Sequence, residues 1–405
     1  MVKSGGTALV VGGSMAGLFA GLLLRQSGWH VTICERSLSS LNGRGAGIVT
    51  HPQLVTVLRE AGVPPGETLG VDIARRRIYG RDGNVLEELD FPQLTTSWDL
   101  LLRLLRRGVP DADYRLTMNA TRIDLDHDAA TVGFADGSFA KADLVVLADG
   151  LRSALRKELF PEVSLAYAGY VGWRGLVDEA SLSPSARDAL FDCFAFGIPT
   201  GEQFLCYPVA GPGDDVRTGH RRLNFVWYRP ADVYTLERLL TDTNAAHHKN
   251  GIPPLLIAEP VISEMRQAAR DNLAPAFAEA VERADLPFFQ PIYDLDVPQM
   301  YSGRAAIIGD AAFVARPHVG AGVTKAAMDA SALRRALDSY AAVPDALAAF
   351  NEARRPVNQR IADRGRALGA SIGGQVNASD PPPAMASLHS IMRDTASLAF
   401  LGTPN

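Results

Sequence analysis

The first 35 residues of the chain strongly constrain its fold. An apolar, β-branched run at residues 7–11 meets a glycine-rich turn, GGSMAG, at residues 12–17. Residues 16–26 then place apolar side chains at helical spacing, and residues 29–34 return to a strand pattern. A strand, a glycine turn, a helix and a second strand in this order predict a Rossmann-like βαβ unit that binds a dinucleotide.

The glycine loop has an expected role at each of its ends. Gly12 permits a tight turn, Gly17 lets the helix pack closely on the strand, and the helix N-terminus holds the pyrophosphate. Ser14 replaces the second glycine of G-x-G-x-x-G, but it is small enough for a phosphate to approach. Glu35, at the end of the second strand, is expected to accept hydrogen bonds from ribose hydroxyls. The cofactor contacts predicted here are Gly12, Gly13, Ser14, Met15, Ala16, Gly17, Glu35 and Arg36.

Two later segments narrow the dinucleotide to FAD rather than NAD. The segment DGLRS at residues 149–153 follows an apolar strand and predicts cofactor contacts from Asp149 and Gly150. An ordinary strand-to-helix turn with Ser153 near the N-cap explains that segment equally well. The segment GDAA at residues 309–312 places Asp310 after a buried strand, at the edge where open α/β sheets bind ligands. A carboxylate there suits the ribityl chain of FAD.

A second glycine-rich loop, PHVGAG at residues 317–322, precedes a long Ala-rich helix. Its backbone can approach a flat ring, and the helix N-terminus would stabilise negative charge at the N1/C2=O side of a reduced flavin. A glycine-rich helix start without a ligand is the simpler alternative. The predicted flavin contacts are Pro317, Gly320, Ala321, Gly322 and Val323.

Composition excludes several classes of partner. The formal net charge of −5 gives no electrostatic basis for binding nucleic acid. The apolar stretch near the N-terminus is interrupted by the glycine turn, so we expect no membrane span. Three cysteines without metal-ligand spacing predict no metal site, and their odd number favours a reducing cytoplasm.

The middle of the chain has a different texture. Residues 166–228 contain aromatic-rich strands separated by polar loops, which predicts an antiparallel sheet carrying a substrate pocket. We expect a discontinuous cofactor domain (1–73, 97–164 and 291–340) and a substrate domain (74–96 and 165–290). Residues 341–405 are expected to form a C-terminal helical segment and a tail that is loosely ordered from Ser379.

With its segments GGSMAG, DGLRS and GDAA, the chain resembles the single-component FAD-dependent aromatic hydroxylases, the family whose best-known member acts on 4-hydroxybenzoate. The resemblance runs from Thr7 to about Leu368. It is closest to the subgroup that hydroxylates dihydroxypyridines, through VGGSMAGL at 11–18, YAGYVGWRG at 167–175 and RPH at 316–318. It implies an α/β fold in which a Rossmann-like βαβ FAD domain is interleaved with a mixed-sheet substrate domain and followed by C-terminal helices.

This chain departs from the family pattern in two places. Phe313 stands where the family usually has histidine, and Ser97 stands where it usually has arginine near a helix start. Both changes remove polar cofactor contacts. We expect Arg44 to compensate by approaching the pyrophosphate.

The resemblance also implies a reaction. NADH or NADPH reduces non-covalently bound FAD, O2 adds at flavin C4a, and the hydroperoxide transfers OH to a small aromatic or N-heteroaromatic ring that already carries a hydroxyl. The expected partners are that ring, O2 and NAD(P)H, with a homodimer left open. A tailoring oxygenase for polycyclic natural products and a flavoprotein that only transfers electrons or senses a ligand are the alternatives.

Such an enzyme needs a group that handles the proton of the substrate hydroxyl. The catalytic candidates are His51, Tyr207 and His318, each of which could instead be a structural residue in a satisfied environment. The residues expected to line the substrate pocket are Gly47, Trp173, Arg174, Asn224 and Trp227.

Overall fold

A computed structural model of the chain describes residues 5–39, 41, 47–372 and 387–402. Its strands are β1 (Thr7–Val11), β2 (His30–Cys34), β3 (Gly47–Val49), β4 (Val71–Tyr79), β5 (Val85–Ser97), β6 (Tyr114–Arg115), β7 (Ala120–Leu125), β8 (Ala130–Phe134), β9 (Phe139–Ala142), β10 (Leu144–Leu147), β11 (Ala166–Asp178), β12 (Cys193–Gly197), β13 (Gln203–Val209), β14 (Arg222–Pro230), β15 (Phe288–Asp296), β16 (Tyr301–Ser302), β17 (Ala305–Ile307) and β18 (Phe313–Val314).

The helices alternate with these strands at the two ends of the chain and cluster between β14 and β15. They are α1 (Met15–Gln26), α2 (Pro52–Glu60), α3 (Trp98–Arg106), α4 (Ala154–Leu159), α5 (Pro184–Leu190), α6 (Val233–Leu239), α7 (Glu259–Asn272), α8 (Pro275–Arg283), α9 (Gly322–Ser339), α10 (Val343–Leu368) and α11 (Leu388–Asp394).

A parallel sheet carries the N-terminal βαβ unit. Its strand order is β16-β17-β10-β1-β2-β6, with β16 antiparallel at one edge. The apolar strands β1 and β10 are buried almost throughout: α1 packs on the sheet against β1, β2 and β10, and α9 packs on α1. The predicted α/β class and the βαβ unit are confirmed.

A large mixed sheet has the order β18-β15-β11-β14-β13-β12-β4-β5-β3. One face packs against helices α5, α7 and α8, forming a core of its own. The other face carries Tyr207, Val226 and Tyr228 and contacts the C-terminal part of the chain. Strands β7, β8 and β9 form a small antiparallel sheet. The domain boundaries drawn from the sequence remain a prediction.

Residues 387–402, called here the C-terminal segment, are ordered against the large sheet. They form α11 and a short 3₁₀ turn, and α11 contacts β4 and β5. The expectation of loose order from Ser379 onward is therefore wrong for these residues. Local sequence is a poor guide here, because the segment is held by contacts with residues about 300 positions earlier.

Within the described residues, no helix combines the length and the apolar character needed to cross a bilayer.

Candidate active site

The glycine loop connects β1 to α1 in a conformation that only glycine suits. Gly12 has φ +109°, and a Cβ atom there would lie 2.3 Å from the carbonyl oxygen of Ala148. A Cβ at Gly17 would lie 1.8 Å from the carbonyl oxygen of Gly12. These approaches bring the N-terminus of α1 against the ends of β1 and β10. The backbone there can therefore receive an anion at close range.

Ser14 and Glu35 flank this loop. Ser14 is the N-cap residue of α1, yet its side chain makes no capping hydrogen bond, so its hydroxyl is available to a phosphate. The buried Glu35 carboxylate accepts hydrogen bonds from the N–H of Gly13 (2.8 Å) and of Ser37 (2.9 Å). Glu35 thus shapes the loop itself. Each of its oxygens keeps a second lone pair, and its contact with a ribose remains a prediction.

Asp149 begins the loop that follows β10, beside the glycine loop. Its Oδ1 is buried and has no hydrogen-bond partner among the described residues, and burial raises the pKa of the carboxyl group. Ser153 caps α4 by accepting from the N–H of Arg156, as the structural alternative predicted. The buried Arg156 guanidinium donates to the carbonyl oxygens of Leu151 and Ala311. It therefore ties this loop to the one that carries Asp310.

Asp310 lies in a 3₁₀ turn at the end of β17, and Gly309 before it has φ +60°. The Asp310 side chain keeps 52% of its surface exposed, although the neighbouring protein raises the pKa of its carboxyl group by desolvation. A crowded but accessible carboxylate is the arrangement expected at the wall of a cleft. Since β17, β10 and β1 are neighbouring parallel strands, the three loops leave the same edge of one sheet.

The second glycine loop runs from a 3₁₀ turn at Pro317–Val319 into α9. Gly320 has φ +60°, and a Cβ at Gly322 would meet no atom of the described residues within 4 Å. The first turn of α9 therefore adjoins open space, where its N–H groups can face a ligand. Roles in flavin contact for Pro317, Gly320, Ala321, Gly322 and Val323 remain predictions.

His318 is fully engaged inside the protein. Its Nδ1 lies 2.8 Å from Oε1 of Gln203, and its Nε2 lies 2.8 Å from the hydroxyl of Tyr170. Because an amide oxygen only accepts, Nδ1 donates to Gln203 and Nε2 accepts from Tyr170. Burial and the charge of Arg316 lower the pKa of His318 to about 3. This geometry favours a structural role over proton transfer.

His51 is the N-cap residue of α2, with its Nδ1 2.9 Å from the Thr324 hydroxyl in the first turn of α9. Burial and the nearby charge of Arg76 lower its pKa to about 4, against the opposite effect of the Ala396 backbone. His51 is therefore neutral at physiological pH and close to the second glycine loop. A catalytic role for His51 remains a prediction, and a pKa this low makes its imidazole a weak base.

The large sheet brings some of the expected lining residues together. Tyr207 pairs with Asn224 across β13 and β14, and Arg174 pairs with Val226, two residues further along the same face. The charge of Arg174 acts to lower the Tyr207 pKa, although burial raises it overall. The N–H of Gly47 donates to Oδ1 of Asn224 (2.8 Å), while the Asn224 amide nitrogen is buried without a partner in the described structure.

The two tryptophans lie on the opposite face. Trp173 and Trp227 pair with each other across β11 and β14, and Trp227 is an odd number of positions from Asn224 along β14. Both are buried in the core formed with the helices, and Trp227 donates to Glu202 (2.8 Å). The expectation that they share a pocket with Tyr207 is corrected, because alternate residues of a strand point to opposite faces.

Arg36 and Arg44 were also predicted to contact the cofactor. Arg36 is exposed, and its charge acts on Asp149. Arg44 lies outside the described residues, so its proposed contact with the pyrophosphate remains a prediction.

Sequence reasoning missed the part played by Arg76. The side chain is completely buried on β4 and donates to the carbonyl oxygens of Met392, Thr395 (2.5 Å) and Ala396 (3.3 Å) in the C-terminal segment. The N–H of Ala396 in turn donates to the carbonyl oxygen of His318 (2.7 Å). The C-terminal segment is thereby fastened to the second glycine loop. The triplet of arginines at 75–77 looked like an ordinary charged strand end, and nothing local marks the middle one.

The two buried histidines predict a loss of stability in acid. Both have pKa values below the ordinary 6.5, at about 4 for His51 and about 3 for His318, so the unfolded chain binds protons that the folded chain does not. Their contribution is complete above pH 6.5 and is lost as the pH falls, at about 1.4 kcal/mol per unit and per histidine. Urea unfolding between pH 7.5 and 4.5 measures this slope.

His318→Gln should reduce that slope by the share of one histidine. His127→Gln is the matched control, because His127 is 96% exposed, and it should leave the slope unchanged. An identical slope in His318→Gln and the unmodified protein would contradict the assignment.

The described residues fit FAD. The glycine loop offers close backbone approach for a pyrophosphate, and Asp310 offers an accessible carboxylate for a polyol chain. Asp149 keeps a buried oxygen without a partner at the same sheet edge. These features converge where β1, β10 and β17 end, beside the open first turn of α9.

Comparisons with known proteins agree with this site. Residues 167–294 match a family model described as FAD binding domain-like. A 2,6-dihydroxypyridine 3-monooxygenase of Paenarthrobacter nicotinovorans is 32% identical over 332 residues, covering 80% of this chain and 81% of that protein. A 3-amino-4-hydroxybenzoate 2-monooxygenase of Streptomyces cremeus is 30% identical over 89% of this chain and 86% of its own length.

A solved structure extends the agreement to three dimensions. The 2,6-dihydroxypyridine-3-hydroxylase of Arthrobacter nicotinovorans superposes with a TM-score of 0.86 at 27% identity, covering 94% of this chain and 96% of that one. The fold, the cofactor edge and the sequence relatives lead to one conclusion. The chain belongs to the FAD-dependent aromatic hydroxylases, monooxygenases that bind FAD and use NAD(P)H and O2.

Proposed function

We propose that this protein hydroxylates a small N-heteroaromatic ring that already carries a hydroxyl group, as a hydroxypyridine does. The polar face formed by Tyr207, Asn224 and Arg174 carries the proposal, since it sets hydrogen-bond donors and a positive charge on an otherwise apolar wall of aliphatic and aromatic side chains. Such a wall suits a flat ring with electron-rich oxygen substituents. The 32% identity to a dihydroxypyridine monooxygenase supports the same substrate class.

FAD, once reduced by NAD(P)H, supplies the activated oxygen; the residues of the chain prepare the ring. Burial raises the pKa of Tyr207, so its phenol stays protonated and can donate a hydrogen bond to a ring oxygen. The amide nitrogen of Asn224, which has no partner among the described residues, is a second donor, and the N–H of Gly47 fixes the amide by donating to Oδ1. The neutral imidazole of His51 can accept a hydrogen bond from the ring hydroxyl, which makes the ring more electron-rich.

The test measures NAD(P)H oxidation with a panel of mono- and dihydroxypyridines and of phenols that lack the ring nitrogen. We expect the hydroxypyridines to accelerate oxidation and to yield a product with one added oxygen atom. Acceleration that ends only in hydrogen peroxide would contradict hydroxylation, and preference for the phenols would contradict the heteroaromatic substrate. A polycyclic substrate would show as no response to either group.

Tyr207→Phe should lower kcat/KM for the ring substrate by roughly tenfold to a hundredfold, because a hydrogen bond to a charged oxygen contributes about 1.5–3 kcal/mol. FAD occupancy, read from the flavin absorbance, should not change. Tyr79→Phe is the control, because the Tyr79 hydroxyl donates to the Ala189 carbonyl oxygen (2.6 Å), away from this polar face. Equal effects of the two substitutions would refute a role for Tyr207 in substrate binding.

We also propose that the protein works in the cytoplasm. Its cysteines, Cys34, Cys193 and Cys206, are buried free thiols, and burial raises the pKa of Cys34 to about 11. Such thiols are typical of a reducing compartment. The homodimer remains a prediction that sedimentation velocity would decide.

A further inference from the structure

Lys325 is a fully buried lysine in the first turns of α9. Its Nζ makes no hydrogen bond with any described residue. The ammonium group lies 4.0 Å from Oδ1 of Asp310 and 3.9 Å from Oδ2 of Asp329. A buried charge without a hydrogen bond is costly, so its position between two carboxylates calls for a physical reason.

Asp329 already has other partners. Its Oδ1 accepts from Nε of Arg354 (2.9 Å) and from the amide of Asn358 (3.0 Å). Its Oδ2 accepts from the N–H of Gly309 (3.1 Å). Arg354 therefore balances the charge of Asp329, and Asp329 holds the turn that presents Asp310.

Asp310 has a different set of neighbours. Its carboxylate is half exposed toward the cofactor edge, and the cation that acts on it is Lys325. The charged groups that act on Lys325 come from the three elements packed around it: Asp310 from the 3₁₀ turn, Asp329 from α9 and Arg354 from α10. With all four groups ionised the cluster is neutral.

We propose that Lys325 is a positioning residue for FAD, which holds the Asp310 carboxylate ionised and oriented so that it can accept hydrogen bonds from the ribityl hydroxyls. The ammonium group lies on the buried side of the Asp310 carboxylate and acts on FAD only through it. An ionised carboxylate accepts hydrogen bonds more strongly than a protonated one. FAD affinity should then depend on the charge states of both groups.

The sign of the pH dependence of FAD affinity follows from the directions of the two pKa shifts. Desolvation raises the pKa of Asp310 and the charge of Lys325 lowers it, so affinity is lost as the pH falls through the Asp310 value. Burial lowers the pKa of Lys325, so affinity is also lost as the pH rises through the lysine value. Removing the ammonium group should move the acid limb to higher pH and abolish the alkaline limb.

The experiment titrates FAD into the full-length apoprotein and follows flavin fluorescence from pH 5 to pH 10. The proteins are the unmodified chain, Lys325→Met, Asp310→Asn and the double variant. We expect Lys325→Met to raise the FAD Kd about tenfold near neutral pH. In the Asp310→Asn background the same substitution should add nothing, because the carboxylate through which it acts is gone.

A purely structural lysine would behave otherwise. Replacing such a lysine would weaken FAD binding in step with a lower Tm of the apoprotein, equally in both backgrounds and at every pH. An equal effect in both backgrounds, or an effect that does not change with pH, overturns the proposal. If Lys325→Met does not fold, the unmodified protein and Asp310→Asn decide alone. An alkaline loss of affinity that persists in Asp310→Asn contradicts a lysine acting through Asp310, and its disappearance there supports one.

Discussion

Replacing Arg76 by methionine should detach the C-terminal segment from the large sheet. The guanidinium donates to carbonyl oxygens of Met392, Thr395 and Ala396 inside the protein, and to Oε1 of Gln93 (2.6 Å). Methionine fills much of the same space but donates nothing, so the carbonyl oxygens of Met392 and Thr395 lose this partner, while that of Ala396 still accepts from Gln93 (3.1 Å). At about 1–3 kcal/mol for each unsatisfied group, we expect a loss of about 2–6 kcal/mol in the free energy of unfolding.

The consequence should reach the active site. Ala396, which Arg76 and Gln93 hold, donates to the carbonyl oxygen of His318 and packs against Gly320 in the second glycine loop. In Arg76→Met we therefore expect a larger share of NAD(P)H oxidation to end in hydrogen peroxide instead of hydroxylated product. Limited proteolysis should cut within residues 387–402, where the unmodified protein resists.

Arg75→Met is the matched control for this substitution. Arg75 is the neighbour of Arg76 on the same strand, but it is partly exposed and pairs with Glu88 (3.4 Å) and Asp192 (3.8 Å). Exposed ion pairs contribute about 0–1 kcal/mol. Comparable destabilisation by the two substitutions would show that strand charge, and not the buried anchor, matters.

The second large effect is expected from Gly17→Ala. The new methyl group would lie 1.8 Å from the carbonyl oxygen of Gly12, a backbone atom that can move only if the glycine loop moves. Because α1 must then separate from β1, the pyrophosphate cradle is lost. The purified protein should contain little or no flavin by its absorbance spectrum, and its Tm should fall by several degrees.

Gly21→Ala, one turn further along α1, separates this effect from helix packing in general. A Cβ there meets Cδ1 of Ile33 at 2.6 Å, the far end of a flexible side chain that can rotate away. Flavin content should stay near that of the unmodified protein. Normal flavin content in Gly17→Ala would contradict the role given to the glycine loop.

Much of the fold followed from the sequence, and the reason is local. The run at 7–11, the turn GGSMAG and the helical spacing after it each carry their own signal, and parallel strands then bring Gly12, Asp149 and Asp310 to one edge. Few other arrangements satisfy a right-handed βαβ connection. FAD could be predicted because the segments expected to hold it lie at strand ends, which sequence patterns mark well.

The substrate wall was harder to predict because its strands are buried on both faces. In β14 the residues from Leu223 to Tyr228 are all buried, so no alternation of polar and apolar side chains tells which face meets the pocket. For that reason the sequence pattern could not show that Trp227, predicted to line the pocket, lies on the face opposite Tyr207. Only the neighbouring helices decide the matter, and they come from residues 184–283, which the strand pattern does not encode.

The burial of charged side chains could not be predicted from the sequence either. Arg76 and Lys325 look like surface residues, one in a basic triplet and one in an Ala-rich helix. Each is buried only because distant segments cover it: the C-terminal segment covers Arg76, and α10 with the Asp310 turn surrounds Lys325. Such contacts join residues far apart in the chain, beyond the reach of any local pattern.

The position of the C-terminal segment at the end of the described chain affects the order of folding during synthesis on the ribosome. The parallel sheet draws its last strand from residues 305–307, and α9 ends at Ser339, so the cofactor half can assemble before synthesis is finished. The contacts of Ala396 with the His318 carbonyl oxygen and Gly320 form only after residue 396 has left the exit tunnel. In a nascent chain the second glycine loop therefore gains its last packing contacts after the rest of the cofactor edge can form.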